Sequence, residues 1–455
     1  MSRSESPDEL NFLSNGAPKR RQIDEDVEMK ASTSATGAIS QSPRTGSEHD
    51  LIGGAFAVLE SDPGVFTTLI ERLGVRGLEV EEVLSVDSWA LDVLSPRGLI
   101  FCFLWHNDQR RREEFADPDA ADVWFAHQLS DDACATQAIL NVLLNCDDVD
   151  LGEELMSFRE ESREFTGVIK GLAISNSRHI REAHNSVARP IDVEGSIHAQ
   201  VSTFSFKQPS ATTKSNKKRK TFSSKSRRSG DKADEEESFH FLGYVPSGGK
   251  VWELDGLSAG PLEVGEILDT QTWLDVVRPV LRTKMQKFGG DSEGDIRFNL
   301  LALVDSKYER CSDALEALKR ERIALERQLD QLKPGGDWKS LCDPGLLALS
   351  RSVFSTSVAG PEKGPTYSKS FGSQVMDRQV KIFRMTETEL LSAWHTCIQE
   401  AKSAKASLEM EISRAKTVAA ENAKRTHNYT PFIQEYIRCL SNEGMLEDLL
   451  KQSKS

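Results

Sequence analysis

The run Gly98-Leu99-Ile100-Phe101-Cys102-Phe103-Leu104-Trp105 has no polar side chain at any position. It is far short of the roughly 20 residues that cross a bilayer, and its length is that of a buried strand. Upstream, Phe66, Leu69, Ile70 and Leu73 recur at helical spacing, so helix and strand are mixed from the start of the patterned chain. Strand patterns return at Phe239–Val245 and Val251–Leu254, separated by the turn Pro246-Ser247-Gly248-Gly249, and again at Phe298–Val304. Helical patterns cover about 122–129, a stretch opening near Cys134 and running through Leu144, then about 151–165 and 177–186. Together these predict an α+β domain over 55–305.

The flanks differ in composition. Residues 1–54 are rich in Ser, charge and small residues with no hydrophobic period, which predicts a disordered N-terminal tail. Between 189 and 237 the chain turns to Ser, Thr, Lys and Gly, with a basic stretch followed by Asp234–Glu237. Strand patterns resume at Phe239, so this is a long insertion inside the domain. After Asp305, Tyr308, Cys311, Leu315, Leu318, Leu325, Leu329 and Leu332 recur in steps of three and four, interrupted at Arg322, which predicts a coiled-coil helix over 306–333. Residues 334–384 read as a linker with local structure. A helical extension follows over 385–455, able to pair with the first helix as an antiparallel hairpin, and its end, 425–455, is a separate apolar tail.

The formal charge of −14 disfavours non-specific nucleic-acid binding by the whole chain. With no long apolar run and no apolar segment behind a basic start, the expectation is a soluble chain that is neither secreted nor membrane-bound. Seven scattered cysteines without a Cys-x-x-Cys pair suggest a reducing compartment, with no disulfide framework or zinc site.

Cys134 stands at a predicted helix start behind Asp131 and Asp132, either of which can cap that helix. A helix N-terminus favours thiolate over thiol, although a buried inert cysteine is the plainer reading. Cys102 and Cys146 read as core. A thiolate nucleophile needs a base and a group that orients the base. With Ser247 and Gly248 as a two-residue turn, His240 faces Asp255 directly, their Cβ atoms about 5 Å apart. A slip of one residue would put them on opposite faces, and a surface His–Asp pair is the alternative. Gln128, six residues before Cys134, can donate a hydrogen bond to an oxyanion or can be an ordinary polar helix residue.

Gln128, Ala133-Cys134-Ala135-Thr136-Gln137-Ala138, Phe239-His240-Phe241 and Glu253-Leu254-Asp255-Gly256-Leu257, in this order, resemble the ubiquitin carboxyl-terminal hydrolase (UCH) family of cysteine deubiquitinases. Leu59–Gly64, Val142–Cys146, Asp150-Leu151-Gly152, His184-Asn185-Ser186 and Asp295–Leu300 support it. The resemblance implies a papain-like fold, an antiparallel sheet sandwiched by helices with a threaded backbone. It implies hydrolysis of amide or isopeptide bonds at the C-terminal glycine of ubiquitin, with no metal or cofactor. The roles it implies are nucleophile for Cys134, general base for His240, orienting acid for Asp255 and oxyanion donor for Gln128. A crossover loop, under which the substrate tail passes, would correspond to 189–237 and is unusually long here. The family usually has asparagine where this chain has Asp132, a charge that opposes thiolate formation.

Arg425-Thr426-His427-Asn428-Tyr429, Phe432-Ile433 and Glu443-Gly444-Met445-Leu446 resemble the C-terminal extension of the larger UCH enzymes, in their proteasome-associated and chromatin-associated branches. The implied partners are ubiquitin, ubiquitinated proteins and an adaptor, a proteasome subunit or chromatin regulator, held by the tail. The implied role is in protein turnover or histone deubiquitination. A catalytically silent ubiquitin-binding scaffold is the alternative. The clusters Lys19-Arg20-Arg21 and Lys217-Lys218-Arg219-Lys220 are nuclear localisation signals or merely solvated charge, and the expected location is nucleus and cytoplasm.

Overall fold

A computed structural model describes residues 54–105, 117–206, 238–288, 298–333, 335, 337–355, 367–446 and 449–450. The expected tail over 1–54 lies outside the described residues except for Gly54, as do 207–237 of the insertion and both basic clusters. In chain order the elements are α1 (Pro63–Arg72), β1 (Leu78–Glu82), α2 (Ser88–Leu91), β2 (Gly98–Trp105), α3 (Cys134–Leu143), α4 (Gly152–Ser162), α5 (Gly167–Asn176), α6 (Arg178–Asn185), α7 (Pro190–Phe206) and β3 (Ser238–Ser247). They continue with β4 (Lys250–Leu254), β5 (Leu262–Glu266), α8 (Trp273–Phe288), β6 (Phe298–Asp305), α9 (Lys307–Leu332), α10 (Pro344–Ser352), α11 (Phe371–Ile382), α12 (Glu387–Thr426) and α13 (Thr430–Asn442). Among the described residues no helix is long and apolar enough to cross a membrane.

The strands form one antiparallel sheet in the order β1-β6-β2-β3-β4-β5, with β2 in the interior. Parity divides its apolar run. Ile100 and Cys102 join Phe66 and Leu69 of α1 and Ile139 and Val142 of α3, whereas Leu99, Phe101 and Phe103 join Leu274, Val277 and Leu281 of α8. A strand covered on both faces has no reason to alternate, hence the unbroken apolar run. The helix α3 comes unusually close. Cβ atoms added at Gly98 or Gly243 would strike Val142, at 2.5 Å from Cγ2 in the case of Gly243.

Residues 123–129, expected as helix, are extended. Val123, Trp124, Phe125 and Ala126 are all buried, so the segment has no solvent face to give it a helical period. Its backbone groups pair instead with side-chain amides of α3 and its following turn. The Trp124 N–H donates to Asn145 Oδ1 (2.8 Å) and Asn145 Nδ2 to the Trp124 carbonyl (2.7 Å). The Ala126 N–H donates to Asn141 Oδ1 (2.9 Å), and Gln137 Nε2 donates to the Ala126 carbonyl (2.7 Å).

The extension folds back on α9. Lys333–Glu387, Glu326–Trp394 and Leu318–Cys397 contacts run in opposite chain directions, so α9 and α12 are antiparallel, closing over Leu315, Leu325, Leu329, Leu390, Ile398 and Ala401. The 334–384 segment, expected as a linker, contributes Trp338, Val353 and Ile382 to the same core, with Trp338 edge-on to Trp394. Part of the insertion, Pro190–Phe206, is the helix α7, whose pattern the Lys- and Ser-rich residues after it obscure. The far end of α12 rests on α1: Asn422 Nδ2 donates to Thr68 Oγ1 (2.6 Å), and Val418 fills the space above Gly64.

Asn141 is fully buried, and Asn141→Leu keeps its branching while leaving the Ala126 N–H without an acceptor. The expected loss of unfolding free energy is about 1–3 kcal/mol. Chemical denaturation measures it, and an unchanged midpoint would mean that the amide ladder does not hold the segment.

Candidate active site

Cys134 is the first residue of α3, behind a 3-10 turn over Asp131–Ala133. The N-cap position falls on Ala133, which has no group to cap with, so Asp131 and Asp132 do not occupy the capping position expected of them. The N–H groups of Ala135 and Cys134 reach the sulfur. Burial pushes the Cys134 thiol up to about 12; the Ala135 N–H opposes the rise, the Asp132 carboxylate adds to it, and the Cys134 N–H opposes it. Cys102 and Cys146 are buried, and burial pushes both up to about 12.

On β3, His240 is paired across to Phe103 of β2 and stands edge-on to that ring, with centroids 5.6 Å apart. Its Nε2 lies 2.7 Å from Asp255 Oδ1. The expected register is displaced. The turn residues are Gly248 and Gly249, with φ of 60° and 77°, which a two-residue hairpin turn of this kind demands at both positions. Gly243 then pairs with Leu254, so Asp255 lies just past the end of β4 and reaches His240 diagonally. A displacement of two residues keeps parity, so the two side chains still share a face. The Leu257 N–H also donates to Asp255 Oδ1, at 2.9 Å. Burial would raise the Asp255 pKa, but the His240 hydrogen bond and charge, the Leu257 N–H and Lys284 hold the carboxyl below its usual range. An ionised Asp255 can only accept, so Nε2 of His240 carries the proton and Nδ1 is the nitrogen able to take one.

Gln128 reaches the same place along the extended segment rather than at a helix end. Its N–H donates to the Gly256 carbonyl (2.8 Å), and a Cβ at Gly256 would stand only 3.0 Å from Gln128 Cβ. The α3 amides explain how it is delivered. Cys134, Gln137, Asn141 and Asn145 follow one another in steps of three and four along one stripe, and the segment runs along that stripe from Trp124 toward the Cys134 end. Sequence reasoning missed Gln137, Asn141 and Asn145; the signal was present as amides four apart on an otherwise apolar helix. Among the described residues no hydrogen bond joins Cys134 Sγ to His240.

A family model described as ubiquitin carboxyl-terminal hydrolase, family 1, matches residues 56–286, just over half the chain. The chain belongs to this family. A second model, ubiquitin carboxyl-terminal hydrolases, matches residues 401–446 within the extension. The ubiquitin carboxyl-terminal hydrolase isozyme L5 of Dictyostelium discoideum is 31% identical over 400 residues, covering 88% of this chain and 95% of that protein. Ubiquitin carboxyl-terminal hydrolase BAP1 of Gallus gallus is 34% identical over 293 residues, 60% of this chain and 36% of that much longer protein. The solved catalytic domain of Trichinella spiralis UCH37 bound to ubiquitin vinyl methyl ester is 33% identical, covers 57% of this chain and 99% of its own, and superposes with a TM-score of 0.43. Like its family, this UCH chain is a cysteine-type enzyme of ubiquitin C-terminal hydrolysis.

With its thiol pushed up to about 12, partly exposed Cys134 is expected to react with iodoacetamide about tenfold faster per pH unit, without levelling off between about pH 6 and about pH 9. Asp132→Asn removes a charge that opposes the thiolate, lowers the pKa and speeds alkylation across that range. Mass spectrometry of the Cys134 peptide reads both rates; a plateau below about pH 8 in the parent protein would contradict the burial argument.

Proposed function

We propose that Cys134 is the nucleophile, His240 the general base and proton donor, Asp255 the residue that orients the base, and Gln128 the oxyanion donor, in hydrolysis of amide and isopeptide bonds to the final glycine of ubiquitin. The observation that carries this reading is the 2.7 Å His240–Asp255 bond, made through Nε2 and so reserving Nδ1 for the thiol proton. The proton of Cys134 Sγ passes to Nδ1 while the sulfur attacks the glycine carbonyl. Oxyanion charge is met by the Gln128 amide and by the first-turn N–H groups of α3. The imidazolium then protonates the leaving amine, and the same nitrogen activates the water that releases ubiquitin from the thioester.

The reading extends to partners. Ubiquitinated proteins are the substrates, in protein turnover or on histones. The helix α13 has no buried residue, and Phe432, Ile433, Tyr436 and Ile437 are all exposed, Phe432 by 68%. An apolar surface of that kind suits an adaptor, a proteasome subunit or chromatin regulator, and the family match over 401–446 supports assigning it to the tail. The coiled-coil pairing of α9 with α12 carries the tail, and nucleus and cytoplasm are the proposed locations.

Cys134→Ala is expected to abolish turnover of a fluorogenic ubiquitin C-terminal reporter while ubiquitin binding, followed by calorimetry, persists. Continued turnover would sink the assignment. Deletion from His427 onward is expected to leave the reporter assay within about twofold, because none of the α13 residues is buried, yet to abolish adaptor capture. Equal loss in both assays would make the tail part of the catalytic fold.

A further inference from the structure

His184 takes no part in this chemistry, yet it is tied to the helix that carries it. The ring is fully buried on α6 and stands edge-on to Phe56, centroids 5.0 Å apart. Nε2 lies 2.6 Å from the Ala57 carbonyl oxygen, and Nδ1 lies 2.6 Å from Thr136 Oγ1. A carbonyl can only accept, so Nε2 carries the hydrogen. Nδ1 is then bare, and the Thr136 hydroxyl donates to it. Burial lowers the His184 pKa to about 4, so this polarity holds at neutral pH.

Thr136 sits two residues after Cys134, in the first turn of α3. That turn has no side-chain cap, and the N–H groups of Cys134 and Ala135 within it stabilise the thiolate. The ring itself cannot swing. The neighbouring Asn185 accepts from the Ala57 N–H (3.0 Å) and donates to the Ala55 carbonyl (2.9 Å), fixing the strap that holds Nε2.

We propose that His184 is a positioning residue: through Thr136 it sets the orientation of the first turn of α3, and with it the direction of Cys134 Sγ and of the two N–H groups. This rests on Cys134 being the nucleophile. Only the hydroxyl matters to the argument, since Thr136 is buried and its methyl is held by packing alone.

Thr136→Val keeps the shape and removes the donor; Thr136→Ser keeps the donor and removes the methyl. In the full chain with the ubiquitin reporter, Thr136→Val is expected to lower kcat by roughly tenfold to a hundredfold, the scale of a small misplacement of reacting groups, with KM nearly unchanged. Thr136→Ser is expected to restore most of kcat. The pH profile of Cys134 alkylation should shift in the Val variant and not in the Ser variant. If thermal melting shows Thr136→Val unfolded, Thr136→Ala, which differs from the Ser variant only in lacking the hydroxyl, should give the same loss confined to kcat. The inference is overturned by parent-like kcat in Thr136→Val or Thr136→Ala, by equal losses in either of these and the Ser variant, by a loss confined to KM, or by unfolding of both Thr136→Val and Thr136→Ala. Turnover surviving in Cys134→Ala would overturn the nucleophile assignment instead. With that variant inactive, a negative result counts against His184 alone.

Discussion

The approach of α3 to the sheet governs the geometry of the site. Val142 drops into the space left by the missing side chains of Gly98 and Gly243, so helix and strands meet at backbone distance. From that pivot Cys134 lies eight residues up the helix, about 12 Å at 1.5 Å per residue. His240 lies three residues back along β3, about 10 Å. The two arms are similar in length, so a small rotation of α3 about Val142 changes the gap between thiol and imidazole without disturbing either element. A side chain at either glycine would push the helix outward as a body and open that gap, which makes two positions remote from the chemistry decisive for it.

Much of the sheet was legible because a buried strand leaves an unbroken apolar run, as β2 does. The same signal misled at 123–129. A buried extended segment outside the sheet looks like a helix in composition, and what stabilises it, amides on α3, is distant in sequence and close only after folding. The hairpin shows a milder failure. Sequence placed its turn one residue early, but the resulting displacement preserved parity, and parity is what put His240 and Asp255 on one face. The expected capping position was missed because an intervening 3-10 turn makes Cys134 the first residue of the helix and puts Ala133 at its N-cap. A propensity for capping residues does not register a single extra turn.

The extension divides into a part that is held and a part that is offered. At its far end α12 meets α1 through Val418, Asn422 and Arg425, the last beside Glu60 and Asp62. Glu60 also faces Arg189, just before α7. Half-exposed pairs of this kind contribute about 0–1 kcal/mol each, so the short Asn422–Thr68 bond and the packing of Val418 do more to seat the helix. Helix α12 ends at Thr426, and nothing in α13 is buried. The boundary between fixed scaffold and available surface therefore falls at His427, close to the catalytic domain and not at the distant end of the α9–α12 hairpin.

In the proposed mechanism, charge balance decides when Cys134 can act. Loss of its proton to solvent would leave a thiolate opposed by the Asp132 carboxylate. Transfer to His240 Nδ1 instead keeps the net charge of the site constant and creates an imidazolium whose Nε2–H already faces a carboxylate 2.7 Å away. In the proposed mechanism thiolate and imidazolium therefore form together. Among the influences on the thiol, burial is the largest and the Ala135 N–H outweighs Asp132, with the Cys134 N–H adding to it, so the local hydrogen bonds favour ionisation against burial and Asp132. Binding a substrate tail over the site increases burial and so works against a lone thiolate. In the proposed mechanism the cation supplied by His240 offsets it, and the alignment of α3 against β3 is then the step on which reactivity turns.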